Sequence, residues 1–233
     1  MPVNRFYIDS PLEKGAIFSL ENDEHHHVKV MRLNEGNTIE VINGKNQLAL
    51  ADITKISKKT SEITLTKVDQ KNPPNKRVYL IQAYTKPNKL ELIIEKGTEL
   101  GVTDFIFFSS EKAEKAFPKE KRHKTILISS IKQCGRLDLP NISYENKIPK
   151  LNDIHLFYGD VKKEAKFFPV VLKSLESKKH IGFINGPESG FSLSEHKTFE
   201  EKFDAIGVSL HQNVLRTETA AIVATSFCQI YQR

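Results

Sequence analysis

The chain has 233 residues, of which 39% are apolar and 27% charged, and a formal net charge of +6. That length buries a substantial core and fits two ordinary domains better than one large one; the apolar runs are too short to span a bilayer, and Cys134 and Cys228, neither in a CxxC pair, argue against a disulfide framework or a cysteine-held zinc. The basic excess suits a nucleic-acid partner without requiring one, and MPVNRFYIDS has neither the apolar core of a signal peptide nor the Arg/Ser bias of a transit peptide, so a cytoplasmic protein is expected.

Residues 1–70 read mainly as short strands. TIEVI and QLALADI flank NGKN, where Asn43-Gly44 would supply the positive φ angles of a tight hairpin turn, and SEITLTKV continues the pattern. One helical stretch, DEHHHVKVMRL, interrupts the strands with acid at its start and base at its end, as the helix dipole favours. Its three histidines do not form a metal site, because consecutive helical residues point about 100° apart.

The polar, proline-bearing DQKNPPNKR marks a boundary near residues 69–77, and beyond it the rhythm changes. RVYLIQAY, TDFIFFSS, DIHLFYG, HIGFING and DAIGVSL read as buried strands. NKLELIIEKGTELG, EKRHKTILISSIKQCG, KEAKFFPVVLKSLES, LSEHKTFEEKF and TETAAIVATSFCQIYQ read as helices. Such alternation predicts an α/β domain around a mostly parallel sheet.

Ligands collect beyond the carboxyl ends of strands in such sheets, and three ends carry turn chemistry: LFYGD, FINGPESG and VSLHQNVLRTET. Gly159 and Gly186 let backbone approach a ligand, Pro187 stops the strand, and Ser192 with Glu195 has the spacing of a capping box. From spacing alone, Glu188 reads as a solvated carboxylate. Thr217 suits an N-cap and Glu218 the positive end of the dipole, whereas Arg216, between Leu215 and an apolar helix, needs a partner. The last helix is apolar nearly all round, which favours burial in a dimer interface. Neither GxGxxG nor GxxxxGK[ST] is present, so nucleotide hydrolysis loses ground.

Four motifs in order, Thr98-Glu99-Leu100-Gly101-Val102, Gln133 with Gly135-Arg136, Gly186-Pro187-Glu188 with Gly190-Phe191-Ser192, and Leu215-Arg216-Thr217-Glu218-Thr219-Ala220, resemble the RsmE family of bacterial 16S rRNA (uracil-N3)-methyltransferases in the SPOUT superfamily. Arg5-Phe6-Tyr7 and HHHVKVMRL extend the likeness over almost the whole chain. The resemblance implies a small PUA-like β-barrel RNA-binding domain (1–70) and an α/β methyltransferase domain (76–233) with a deep C-terminal trefoil knot, acting as a homodimer. It implies S-adenosyl-L-methionine as cofactor, held by Tyr158, Gly159, Asn185, Gly186, Pro187, Glu188, Gly190, Leu210, Val214, Leu215 and Thr217. The implied substrate is the uridine conventionally numbered 1498 in 16S rRNA of the small ribosomal subunit, contacted by Arg5, His26, Lys29, Arg32, Lys86, Lys89 and Arg136; His25 also matches a family histidine.

Transfer to N3 of uracil requires its proton to leave and the charge on the ring to be stabilised, which gives Arg216 an electrostatic or RNA-positioning role and Glu188 that of orienter or proton acceptor. Two positions depart from the family pattern. Ser189 replaces a Gly of the usual GPEGG, which would strain the backbone by about 1 kcal/mol if φ were positive there, and Gln212-Asn213 stand where Gly-Pro-Arg is common. The alternatives are another SPOUT enzyme, methylating the ribose 2′-hydroxyl, and an RNA-binding assembly factor without catalysis.

Overall fold

A computed structural model describes residues 4–113, 119–162, 164–175 and 180–232. Among them, two compact units form: Met1–Pro73 with Ile128–Leu139, and Pro74–Leu127 with Pro140–Arg233.

The first unit contains β1 (Arg5–Tyr7), β2 (Ile17–Leu20), α1 (Asn22–Val30), β3 (Thr38–Ile42), β4 (Gln47–Ile56) and β5 (Ser61–Gln70). The sheet order is β1-β3-β4-β5-β2, with only β1 and β3 parallel. Register shifts between Leu50 and Ala51 and between Ile53 and Lys55 bend the central pair, so the sheet curls into a half-barrel with β1 and β2 at its edges. Alternate residues Ala49, Ala51 and Ile53 of β4 and Ile63 and Leu65 of β5 enter the core, which Phe6, Leu20 and Val28 fill.

The NGKN turn is looser than a two-residue hairpin. Positive φ falls at Gly44 (71°) and Asn46 (64°), while Asn43 is held by its side chain, whose Oδ1 accepts from the Lys45 amide at 2.9 Å. Helix α1 stops at Val30, short of the expected Leu33, and Arg32 turns left-handed at φ 53°. Its histidines diverge: His25 is buried and bonded to Ser61 Oγ at 2.8 Å, His26 is exposed, and His27 packs on Phe6 with ring centres 4.7 Å apart. Among the described residues no group of three or more His, Cys, Asp or Glu side chains could hold a metal ion.

The second unit contains β6 (Val78–Ala83), α2 (Pro87–Glu99), β7 (Asp104–Phe108), β8 (Asn141–Glu145), β9 (Ile154–Gly159), β10 (Lys166–Phe167), α4 (Phe168–Lys173), β11 (His180–Asn185), α5 (Leu193–Phe203), β12 (Ile206–Ser209) and α6 (Thr217–Gln232). Helix α3 (Glu120–Cys134) runs from this unit into the segment that clusters with the first. The sheet order is β10-β12-β9-β11-β6-β7-β8, all parallel. Strands β7 and β11 are buried almost throughout, as a sheet covered on both faces requires.

Two elements differ from the sequence reading. NISYE forms β8, an edge strand whose Ile142 and Tyr144 are only half-buried, too weak a pattern to stand out. In KEAKFFPVVLKSLES, Lys166 and Phe167 pair with Val208 and Ser209, and Pro169 opens a helix of only six residues; positions 163, 176 and 177 lie outside the described residues. Helix α6 buries Ala221, Ala224 and Cys228 and leaves Ile230 exposed, so within one chain a single stripe is enclosed. Among the described residues no helix is long and apolar enough to cross a membrane.

Candidate active site

Because β12, β9 and β11 are parallel neighbours, the three loops singled out by their turn chemistry emerge on one side of the sheet. They enclose a cleft of about 830 Å³, within the range of small-molecule sites. Gly159, Asn185, Gly186, Pro187, Glu188, Gly190, Leu210, Val214, Leu215, Arg216 and Thr217 all line it. Tyr158 does not. As the neighbour of Gly159 on a strand it points to the opposite face, where its hydroxyl donates to Glu200 at 2.6 Å. Burial and that bond push its phenol pKa far up, so its side chain belongs to the core rather than to a ligand.

The floor is a buried polar network. Asn185 Nδ2 donates to Gln82 Oε1 at 2.7 Å and to the Thr217 carbonyl at 2.8 Å, and Thr217 Oγ1 donates to the Gly186 carbonyl at 2.6 Å. Thr217 is therefore not the N-cap expected. Ala220 N–H donates to the Arg216 carbonyl at 2.8 Å, which makes Arg216 the capping position and frees the Thr217 hydroxyl to tie the 186 loop to α6. Gln82, at the end of β6, had no sequence signal beyond a polar residue in an apolar strand.

The NGPESG turn is closed by a Gly190 N–H bond to the Pro187 carbonyl at 3.0 Å. Positive φ falls on Gly190 (67°) and not on Ser189, which escapes the anticipated strain and instead donates to the Lys112 carbonyl at 2.9 Å. The capping box is present: the Glu195 amide donates to Ser192 Oγ and the Ser192 amide to Glu195 Oε2. The third loop is pinned by His211, whose Nδ1 accepts from Asn213 N–H at 3.0 Å while its carbonyl accepts from Ser209 Oγ at 3.2 Å. Gln212 and Asn213 remain exposed on the cleft wall.

The charged groups are arranged otherwise than expected. Glu188 is not solvated alone: Lys89 Nζ lies 3.1 Å from its Oε1 and 3.4 Å from Glu218 Oε2. Burial raises the Glu188 pKa, but the Thr85 hydroxyl, its own amide and Lys89 together outweigh this and hold it below the usual carboxylate range. The same carboxylates raise Lys89, the bond to Glu188 being the largest cause. Arg216 does not have the partner expected from its apolar neighbours; it is exposed on the cleft and in no ion pair among the described residues.

The remaining basic residues divide. Arg5 is 9% exposed and binds Glu40 through Nε and Nη2, and Arg136 binds Asp138 through Nε at 3.0 Å. His26, Arg32 and Lys86 are exposed, as is Lys29, whose ammonium donates to the Lys58 carbonyl at 2.8 Å.

The cleft suits S-adenosylmethionine in size and chemistry. A Cβ on Gly159 would make only ordinary contact with Phe183 at 3.6 Å, so that glycine is not there to relieve a clash. Val208, Leu210, Leu215 and Ala220 offer an apolar wall, and backbone polar groups of three loops stand around it.

Comparison with known proteins places this arrangement. A family model described as an RNA methyltransferase domain matches residues 71–229, and one described as an RNA methyltransferase PUA domain matches residues 20–66. The chain is thus an RNA methyltransferase by class, with a PUA domain before the catalytic one. It is 32% identical to ribosomal RNA small subunit methyltransferase E of Buchnera aphidicola (subsp. Acyrthosiphon pisum), over 97% of this chain and 93% of the relative, and 31% identical to that of Rickettsia conorii, over 96% and 94%. The chain belongs to the ribosomal RNA small subunit methyltransferase E family. Among solved structures, that enzyme from Neisseria gonorrhoeae bound to S-adenosyl methionine superposes with a TM-score of 0.85 at 24% identity, covering 97% of both chains. A protein of Legionella pneumophila with bound S-adenosylmethionine gives 0.84 at 26% identity, covering 99% of this chain and 98% of that one.

Proposed function

We propose that the chain methylates N3 of a specific uridine of 16S rRNA, the position conventionally numbered 1498, in the small ribosomal subunit of the cytoplasm, with S-adenosyl-L-methionine as methyl donor. The observation that carries this reading is the Arg216 guanidinium, in no ion pair among the described residues, on the wall of a cleft built from three parallel strand ends. Residues 1–70 contact RNA and residues 76–233 perform the transfer. The bound cofactor supplies an electrophilic methyl group.

The chain's own residues do the rest. Gly159, Gly186, Gly190 and Leu210 shape the ligand space, and the Asn185–Thr217 network keeps the loops in register. Arg216 stabilises the negative charge that develops on the uracil ring as its N3 proton departs. Glu188, held below the usual carboxylate range against the effect of burial by the Thr85 hydroxyl, its own amide and Lys89, is a weak base, which favours an orienting role over that of proton acceptor. In RNA binding, exposed His26, Lys29, Arg32 and Lys86 carry the contacts, whereas Arg5 and Arg136 serve internal pairs. A homodimer through the second unit, with the C-terminal segment knotted, follows from the family and would cover the exposed Ile230 of α6.

Incubation with unmodified small subunits and labelled S-adenosylmethionine, followed by nucleoside mass spectrometry, tests the reading. It predicts N3-methyluridine. Appearance of 2′-O-methyluridine would assign a ribose methyltransferase instead, and absence of any methylation by a cofactor-binding protein would assign an assembly factor.

A further inference from the structure

Lys89 sits in the first turn of α2, where the helix dipole is positive and where no acidic residue of the helix accompanies it. A cation is disfavoured there by its own helix. What holds it, with its side chain 21% exposed, is a pair of carboxylates from two other elements, Glu188 of the 186 loop and Glu218 of the first turn of α6. Glu218 Oε2 is buried without a hydrogen bond, so the Lys89 ammonium at 3.4 Å compensates a charge that would otherwise stand alone. Glu218 follows Arg216 by two residues, and Glu188 lines the same cleft as that arginine. Glu188 thus shares the cleft with that guanidinium without pairing with it, while Glu218, two positions on, does not face it.

We propose that Lys89, expected from resemblance to touch RNA, is instead the positioning residue of the cleft: by bridging Glu188 and Glu218 it fixes the Glu188 carboxylate and keeps it from capturing Arg216. This rests on the role of Arg216 in the proposed methyl transfer. Among the described residues, the groups that act on Glu188 are the Thr85 hydroxyl beyond β6, its own amide and Lys89 from α2; Arg216 lines the same cleft, and Glu218 at the start of α6 shares Lys89 with it. Removing Lys89 removes one of the influences that lower the Glu188 pKa, so Glu188 must titrate at higher pH, and Arg216 must become ordered against the freed Glu188 carboxylate.

The test compares Lys89→Met, Lys89→Arg and the double variant Lys89→Met/Glu218→Gln with the full-length wild type. Carbon-13 NMR of Glu188 and exchange of the Arg216 Nε–H are followed in protein without cofactor, and kcat and KM for S-adenosylmethionine with it. In Lys89→Met, the expected results are an upward shift of the Glu188 titration, slower Arg216 exchange, and a kcat loss of roughly tenfold to a hundredfold with KM for S-adenosylmethionine little changed. Lys89→Arg restores most of kcat, and the double variant, which removes the buried uncompensated charge, recovers part of it and remains folded. A Glu188 titration unmoved in folded Lys89→Met or double-variant protein would overturn the proposal, as would a kcat loss that arginine does not rescue. The NMR measurements need neither RNA nor turnover, so a wild type that methylates nothing overturns the proposed function without being mistaken for a failure of the Lys89 bridge.

Discussion

The arginines of the two units have opposite circumstances. In the first unit, Arg5 and Arg136 are paired with Glu40 and Asp138, although Arg5 Nη1 itself is buried without a hydrogen-bond partner, and those pairs serve the local fold. In the second, Arg216 stands open on the cleft while the nearby acids Glu188 and Glu218 are occupied by Lys89. A basic residue in the right motif says little until its partners are known. A guanidinium already satisfied by a carboxylate must break that pair to meet a ligand, whereas an unpaired one gives its full charge to whatever enters.

The contrast can be broken at several points. The largest expected effect on stability comes from Thr217→Val, which removes the hydroxyl joining the Gly186 carbonyl to the Asn185 and Gln82 amides. Leaving these buried groups short of a partner costs about 1–3 kcal/mol, seen as a lower denaturation midpoint together with weaker cofactor binding in calorimetry. An unchanged midpoint would mean that the loops are held by something else.

Arg5→Ala comes next. Loss of a charge-assisted pair whose glutamate is 29% exposed costs roughly 1–2 kcal/mol, and the effect belongs in urea unfolding rather than in RNA affinity measured near the midpoint of the wild-type salt titration. Arg32→Ala is the mirror image, with stability nearly unchanged and the slope of log affinity against log salt reduced by about 1. Arg136→Ala leaves that slope where it was. If the tied arginines rather than Arg32 controlled the salt slope, the division drawn between them would be wrong.

Much of the cleft was legible in the sequence because its chemistry is local. Gly186-Pro187 ends a strand, Ser192 and Glu195 cap the next helix three residues apart, and both signals lie inside one short window. The parallel sheet was legible for the same reason, in the alternation of apolar runs with helical periods. What stayed hidden depends on partners remote in sequence. Lys89 meets Glu188 and Glu218, Arg5 meets Glu40, and Gln82 meets Asn185, and no pattern along the chain announces such meetings. Tyr158 was misplaced because strand parity, not proximity to Gly159, decides which face a side chain occupies. Ser189 carries no left-handed strain because the left-handed residue of the turn is Gly190.

The proposed role places Arg216 on the substrate in the cleft rather than in support of the fold. The most direct measurement is methylation of unmodified small subunits by Arg216→Ala, with S-adenosylmethionine affinity and thermal midpoint recorded on the same preparation. The account predicts turnover reduced by about 10²–10³-fold or more, with cofactor affinity and midpoint close to those of the wild type. Methylation retained at the wild-type rate would contradict it.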